Sequence, residues 1–172
     1  MKRNFFNSKN IPNGISLFRI ILIFPIIIFL EINLKGYIWF LILIGGISDY
    51  LDGFIAKKFN LKTKFGAIID PLADKIIIMI PLTWLCVNEI IPFWSFSLII
   101  FRELVISSIR SSKDNGMPAI NAAKYKSFFQ YIALLFLFFP FKNDLIFILG
   151  LFFYWISFVF SIYSFIHYLR FK

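Results

Sequence analysis

Apolar residues along this chain occur in six long blocks, and short polar segments separate one block from the next. Stretches such as 20–30 and 76–81 are continuously apolar, without the alternation of apolar and polar residues that a membrane β-strand requires. Each block approaches the roughly 20 residues that a helix needs to cross a bilayer. The pattern therefore predicts an all-α fold, an integral membrane six-helix bundle. Its spans are predicted at about 13–30, 37–56, 66–87, 93–109, from within the basic segment 110–126 to about 139, and 145–168.

The segment before the first block, residues 1–12, combines three basic residues with apolar side chains that include Phe5 and Phe6. This mixture favours an N-terminal helix that lies in the membrane interface. Neither an internal repeat nor a linker divides the chain, so residues 1–172 are predicted to form a single domain.

Composition supports a membrane protein, because 60% of the 172 residues are hydrophobic and the mean hydropathy is +0.83. A soluble domain of this size does not need so much apolar surface. The net charge is +9, and the basic residues concentrate between the apolar blocks. This arrangement favours lipid head groups and phosphate-bearing substrates as partners, rather than nucleic acid.

The distribution of lysine and arginine predicts the orientation of the chain in the membrane. Six spans place both termini on one side, together with the basic loops 57–65 and 110–126, whereas Lys35 and Lys142 fall in turns on the other side. Because cytoplasmic loops carry an excess of Lys and Arg, both termini and the segment 49–74 are predicted to face the cytoplasm. The expected location is the cytoplasmic (inner) membrane, with a multi-pass topology.

Two pairs of aspartates stand out in this apolar chain. Asp49 and Asp52 are three residues apart, and Gly66, Asp70 and Asp74 recur every four residues, so each set shares one helix face. Two antiparallel helices joined by a short loop would bring these faces together, and four carboxylates would then repel unless cations lay between them. Oxygen ligands suit Mg²⁺ or Mn²⁺, which activate phosphoryl groups. The alternative is that these are solvated acids at the ends of spans, with glycines that serve only helix packing.

The same segment reads Asp-x2-Asp-Gly-x2-Ala-Lys-x8-Gly-x3-Asp-x3-Asp, and it resembles the signature motif of the CDP-alcohol phosphatidyltransferase family at every spacing. The one departure is Lys57, where the family motif has arginine. Lysine keeps the positive charge but loses the two-pronged contact that arginine makes with phosphate.

The resemblance extends over about residues 10–135, to the bacterial branch of the family that makes phosphatidylglycerol phosphate. It is carried by residues 10–13, 17–19, 65–75 and 102–107, and by Lys124 and Lys126 before Gln130. It implies six helices around a polar cytoplasmic cavity, usually paired as a homodimer. The implied activity is transfer of a phosphatidyl group from CDP-diacylglycerol to glycerol 3-phosphate, with release of CMP.

The resemblance also implies roles for individual residues, including a site for two Mg²⁺ or Mn²⁺ ions that polarise the donor pyrophosphate. Asp74 would be the general base for the acceptor hydroxyl and would also contribute to the second metal. The metal ligands would be Asp49, Asp52, Asp70 and Asp74. The residues lining the CDP site would be Asn13, Gly53, Ala56, Lys57 and Gly66.

Other charged residues allow two interpretations each. Arg102 and Glu103 lie well inside the fourth span, where ionisable residues usually face a cavity or each other. Either the two form a structural ion pair, or Arg102 binds the phosphate of the acceptor alcohol. Arg19 either extends to the membrane interface or contacts substrate. Lys124 and Lys126 are either ordinary positive-inside residues or part of an acceptor site. The candidate residues for binding the acceptor phosphate are Arg102, Arg110, Lys124 and Lys126.

Two alternative functions remain open from the sequence. The first keeps the chemistry and changes the acceptor to serine, inositol phosphate or phosphatidylglycerol. The second is a non-catalytic cation transporter or channel that uses the aspartates as its cation site. The second is disfavoured because both acidic pairs lie at cytoplasmic helix ends and the neighbouring basic residues suit an anionic substrate.

Overall fold

A computed structural model describes the backbone of residues 11–59, 64–111 and 121–170, and the side chains of residues 14, 17–49, 69, 71–109 and 121–170. All regular structure in these ranges is helical, which confirms the predicted all-α class, and no strand occurs there. The predicted interfacial helix falls mostly outside the described residues. The helices are α1 (Ile11–Glu31), α2 (Lys35–Phe59), α3 (Lys64–Val87), α4 (Phe93–Ser111), α5 (Asn121–Leu137) and α6 (Asp144–Arg170).

Helices α1 and α3 are each followed by a tight turn of the same type. After α1, the amide of Leu34 donates to the carbonyl of Phe29, and Asn33 adopts a φ of 56°. After α3, the amide of Ile90 donates to the carbonyl of Leu85, and Glu89 adopts a φ of 57°. This left-handed residue after the last turn satisfies carbonyls that the helix leaves unpaired and sharply reverses the chain. Helix α3 itself continues through Pro71 and Pro81.

The chain divides into two compact units, Met1–Pro81 and Leu82–Lys172, and the division falls within α3. The expectation of a single domain therefore stays a prediction. In the first unit, α1 and α2 form an antiparallel hairpin. The rings of Phe29 and Tyr37 stack beside the turn with centroids 5.0 Å apart. Farther from the turn, Arg19 of α1 contacts Asp49 of α2. This register places the middle of α1 opposite the C-terminal half of α2.

In the second unit, α6 packs against both α4 and α5. Phe136 and Phe129 of α5 contact Phe153 and Phe160 of α6 in reverse order, so these helices are antiparallel. The contacts of α4 follow the same order as those of α6, so these two helices are parallel: the hydroxyls of Ser95 and Tyr154 share a hydrogen bond of 2.7 Å, and Arg102 contacts Ser164.

Helix α6 has a polar buried face and an apolar exposed face, which is the reverse of a helix in a soluble protein. Its buried residues recur every three or four positions and are Gly150, Tyr154, Ser157, Ser161, Ser164 and Tyr168. Large apolar side chains such as Ile148, Phe152 and Val159 are exposed. Small residues on the buried face allow helix backbones to approach closely. Within the described residues, α6 is the one helix long and apolar enough to cross a membrane by length and composition.

Candidate active site

One buried arginine connects three helices of the first unit. Arg19 of α1 has a side chain that is 1% exposed, and its Nη1 atom donates to Oδ1 of Asp49 in α2 at 2.6 Å. The same nitrogen donates to Oδ1 of Asp74 in α3. The two carboxylates are 58% and 41% exposed, respectively. The cluster therefore combines one buried positive charge, on Arg19, with two carboxylates that reach the protein surface.

The position of Arg19 follows from the helix that carries it. Arg19 lies on the buried stripe of α1 with Leu22, Ile23 and Ile26, which are three, four and seven residues further along. The antiparallel hairpin then places Asp49 opposite it. A buried guanidinium is costly unless it is paired and hydrogen-bonded, so its partners are part of what makes this packing stable. The sequence did not predict this pairing of Arg19 with two aspartates, and contact of Arg19 with substrate stays a prediction.

The structure brings together one member of each aspartate pair. Asp49 and Asp74 both contact the guanidinium of Arg19, whereas the side chains of the other two aspartates lie outside the described residues. Six further candidate residues likewise lie outside the residues whose side chains are described. The backbone of all eight belongs to one of the helices α1 to α4. These residues are Asn13, Asp52, Gly53, Ala56, Lys57, Gly66, Asp70 and Arg110.

The donor atoms of this cluster suit a hard divalent cation. Two carboxylate oxygens, from Asp49 and Asp74, already face a common positive charge, the Nη1 atom of Arg19. Oxygen-only donor sets of this kind favour Mg²⁺ or Mn²⁺ over zinc. In the part of the chain that the structure describes, no group of three or more His, Cys, Asp or Glu side chains could hold a metal. The described residues thus supply two of the four expected ligands.

A second charged cluster lies in the core of the second unit. Arg102 of α4 donates from Nη1 to Oε1 of Glu103 at 2.5 Å and from Nη2 to Oγ of Ser164 in α6 at 2.7 Å. Lys126 of α5 donates from Nζ to the same Glu103 oxygen at 2.5 Å. All three charged residues are buried, whereas Lys124 is exposed. The ion pair that was one interpretation of Arg102 and Glu103 is therefore present, and Lys126 belongs to it.

Several buried polar atoms near these charges have no hydrogen-bond partner among the described residues. They are Nε of Arg102, Nε2 of Gln130 and Oγ of Ser161. Gln130 lies one turn beyond Lys126 on the buried face of α5. The sequence pattern placed Gln130 in the family resemblance without a role, and it gave no indication of Ser161 or Ser164. The signal that could have found them is the recurrence of small or polar residues every three or four positions within an apolar block.

Comparison with known proteins identifies the family. The profile described as CDP-alcohol phosphatidyltransferase matches residues 9–163. A curated relative from Wigglesworthia glossinidia brevipalpis is 35% identical over 136 residues, which cover 73% of this chain and 74% of the relative. One from Escherichia coli K12 is 33% identical over 137 residues, with the same coverage of each chain. One from Haemophilus influenzae is 40% identical over 107 residues, covering 59% and 57%.

All three relatives carry the name CDP-diacylglycerol–glycerol-3-phosphate 3-phosphatidyltransferase. The match to the family profile covers both the aspartate motif at 49–74 and the second charged cluster on α4 and α5. The resemblance inferred from the aspartate motif is thereby confirmed.

Proposed function

The chain belongs to the CDP-alcohol phosphatidyltransferase family and is an enzyme of that class, and from this premise we propose its reaction. It transfers the phosphatidyl group of CDP-diacylglycerol to glycerol 3-phosphate, forming phosphatidylglycerol phosphate and CMP. The names of the relatives support this choice of donor and acceptor. The observation that carries the chemistry is the convergence of Asp49 and Asp74, one from each half of the family motif.

Asp74 is the general base in this proposal. Its carboxylate is partly exposed, so the hydroxyl of glycerol 3-phosphate can reach it and transfer a proton to it. The resulting oxygen attacks the phosphorus that bears diacylglycerol, and the bond from that phosphorus to the CMP oxygen breaks. Two Mg²⁺ or Mn²⁺ ions, held by Asp49, Asp52, Asp70 and Asp74, supply Lewis-acid polarisation of the pyrophosphate when bound.

The cytidine end of the donor is assigned to the motif residues between and beside the aspartates. Glycines at 53 and 66 allow a ligand to approach the helix backbone, because neither residue carries a Cβ atom. Lys57 supplies a point charge for a phosphate oxygen, in place of the arginine fork of the family motif. The complete proposed set is Asn13, Gly53, Ala56, Lys57 and Gly66.

The acceptor phosphate is assigned to basic residues of α4 and α5. Arg102 and Lys126 both donate to Oε1 of Glu103, so these three buried side chains bring together two positive charges and one negative charge. Burying excess charge is costly, and an anionic ligand offsets that cost. The phosphate of glycerol 3-phosphate matches this requirement, whereas serine has no phosphate. The complete proposed set is Arg102, Arg110, Lys124 and Lys126.

All six helices are proposed to span the cytoplasmic membrane, with both termini and the aspartates on the cytoplasmic side and a second copy of the chain as partner. Exposed apolar side chains support a lipid environment for helices other than α6. Phe24 and Ile28 of α1 and Leu104 of α4 are each more than half exposed, which would be unfavourable in water. The basic segments 57–65 and 110–126 support the sidedness.

Release of CMP from CDP-diacylglycerol by the purified protein in detergent tests the proposal. Glycerol 3-phosphate, serine, inositol phosphate and phosphatidylglycerol are supplied in turn, each with Mg²⁺ or Mn²⁺ and each with EDTA. We expect release with glycerol 3-phosphate and metal, and no release with chelator. A faster reaction with serine would identify a different acceptor and keep the family chemistry. Full activity after verified metal removal would contradict the metal site.

A further inference from the structure

Arg19 occupies a place that the proposed reaction does not use. Its guanidinium is buried within the aspartate cluster. One of its nitrogens, Nη1, donates both to Oδ1 of Asp49 and to Oδ1 of Asp74. A structural arginine at a helix interface would need only one such partner to be neutralised. Here a single positive charge is placed between two carboxylates from different helices.

This arrangement addresses a problem that any cluster of metal-binding carboxylates has in the absence of metal. Two carboxylates held close together repel each other, and the repulsion opposes folding of the helices that carry them. The guanidinium offsets it with charge-assisted hydrogen bonds to both groups. The same oxygens are then engaged with Arg19 when a divalent cation arrives. A cation that binds both carboxylates has to compete with these bonds.

We propose that Arg19 is an internal counter-cation for the aspartate site. It stabilises the metal-free protein by bridging Asp49 and Asp74, and it competes with the divalent cation for their oxygens. Metal affinity is therefore lower than the carboxylates alone would provide, and metal binding shifts the guanidinium away from at least one of them. The inference rests on the proposed metal site, to which it adds a residue outside the aspartate motif.

Direct measurement of Mn²⁺ binding tests this inference without reference to turnover. The full chain and its Arg19→Gln variant are purified in detergent, stripped with EDTA, dialysed and titrated with Mn²⁺, and free Mn²⁺ is followed by electron paramagnetic resonance. The control is Arg170→Gln, which removes one positive charge from the exposed end of α6. We expect Arg19→Gln to bind Mn²⁺ about tenfold more tightly or better, and tenfold corresponds to about 1.4 kcal/mol.

Thermal melting of the same samples gives the second half of the test. In EDTA, Arg19→Gln should melt below the unmodified protein, and saturating Mn²⁺ should raise its melting temperature by more than it raises that of the unmodified protein. Mn²⁺ binding by Arg19→Gln that is no tighter than that of Arg170→Gln would overturn the proposal. So would weaker binding, because it would make Arg19 an aid to metal binding rather than a competitor.

A conservative variant covers the case in which Arg19→Gln does not fold. Arg19→Lys keeps the charge but forms a less preorganised and more strongly hydrated contact with the carboxylates. It should bind Mn²⁺ more tightly than the unmodified protein, and equal or weaker binding would overturn the proposal. Failure of the unmodified protein to bind Mn²⁺ would instead remove the metal site of the proposed function, and the role of Arg19 with it.

Discussion

Glu103 is the carboxylate on which the buried cluster of the second unit depends. It accepts a hydrogen bond from Nη1 of Arg102 and another from Nζ of Lys126, each at 2.5 Å and both to the same oxygen, Oε1. Its side chain is 11% exposed. The substitution Glu103→Gln keeps the shape of the side chain and removes its charge. Two buried cations would then face each other across a neutral amide.

The geometry limits how far apart these cations are. Nη1 of Arg102 and Nζ of Lys126 each lie 2.5 Å from Oε1 of Glu103. The two nitrogens are therefore separated by at most twice that distance, about 5 Å. With an effective dielectric constant of about 20, two unit charges at about 5 Å repel by about 3 kcal/mol. Removing one partner of a buried ion pair typically costs about 3–5 kcal/mol. We therefore expect Glu103→Gln to lower the free energy of unfolding by about 3–5 kcal/mol.

Unfolding by sodium dodecyl sulfate in mixed micelles, followed by circular dichroism, measures this change. The control Glu89→Gln removes the same charge from an exposed position in the turn after α3, and it should change the free energy by no more than about 0.5 kcal/mol. The double variant Glu103→Gln with Lys126→Met removes the repulsion as well. It should recover much of the stability, because an ion cluster replaced by packed apolar groups is often nearly neutral.

Two results would refute this reasoning. A Glu103→Gln variant as stable as Glu89→Gln would mean that solvent or another group compensates Arg102 and Lys126. A double variant that loses more stability than Glu103→Gln alone would mean that Lys126 contributes through its packing rather than through its charge. In either case the cluster would not carry the buried excess charge assigned to it.

Three further predictions follow from individual contacts. Arg102→Gln removes one charge-assisted hydrogen bond to the acceptor phosphate, so it should raise the KM for glycerol 3-phosphate about 10–150-fold. The KM for CDP-diacylglycerol should stay nearly unchanged, and a higher KM for CDP-diacylglycerol alone would place the acceptor site elsewhere. Asp74→Asn should insert into membranes and dimerise normally, with CMP release slower by about 10²–10⁴-fold, and near-normal turnover would mean that another group takes the proton. Gly150→Ala places a Cβ atom 2.8 Å from Cγ of Leu137 and 3.0 Å from its backbone nitrogen, so it should lower the melting temperature in detergent, at a cost of about 1–3 kcal/mol. Gly45→Ala meets only the movable end of a side chain and should cost less; equal melting of the two variants would contradict the role assigned to the close contact of α5 with α6.

The positions of the helices were predictable because their cause is local. An apolar block of about 20 residues in a strongly apolar chain has to satisfy its own backbone hydrogen bonds, and a helix does so within the segment. The observed helices agree with the predicted blocks to within a few residues for α1, α2, α3, α4 and α6. Even Pro71 does not interrupt α3, since a helix can lose one backbone hydrogen bond and continue.

The buried face of α6 was not predictable in the same way. Nearly all of its residues are apolar, so hydrophobic periodicity cannot distinguish the side that faces α4 and α5 from the opposite side. What distinguishes them is size, since Gly150, Ser157 and Ser161 allow close packing and the larger residues do not. This signal acts between helices, and it becomes apparent only when the neighbouring helix is known.

The sequence alone determined the family of this protein and its helical class, and it supplied the residues of the proposed site, because the aspartate motif and the apolar blocks are contiguous in the chain. Only the tertiary structure decided the partners of the buried charges. Arg19 is separated from Asp49 by 30 residues and from Asp74 by 55, and Glu103 is separated from Lys126 by 23. Helix register and helix packing bring these groups within hydrogen-bond distance. An arginine in an apolar block has to find a counter-charge, but which carboxylate it finds depends on which helix faces it.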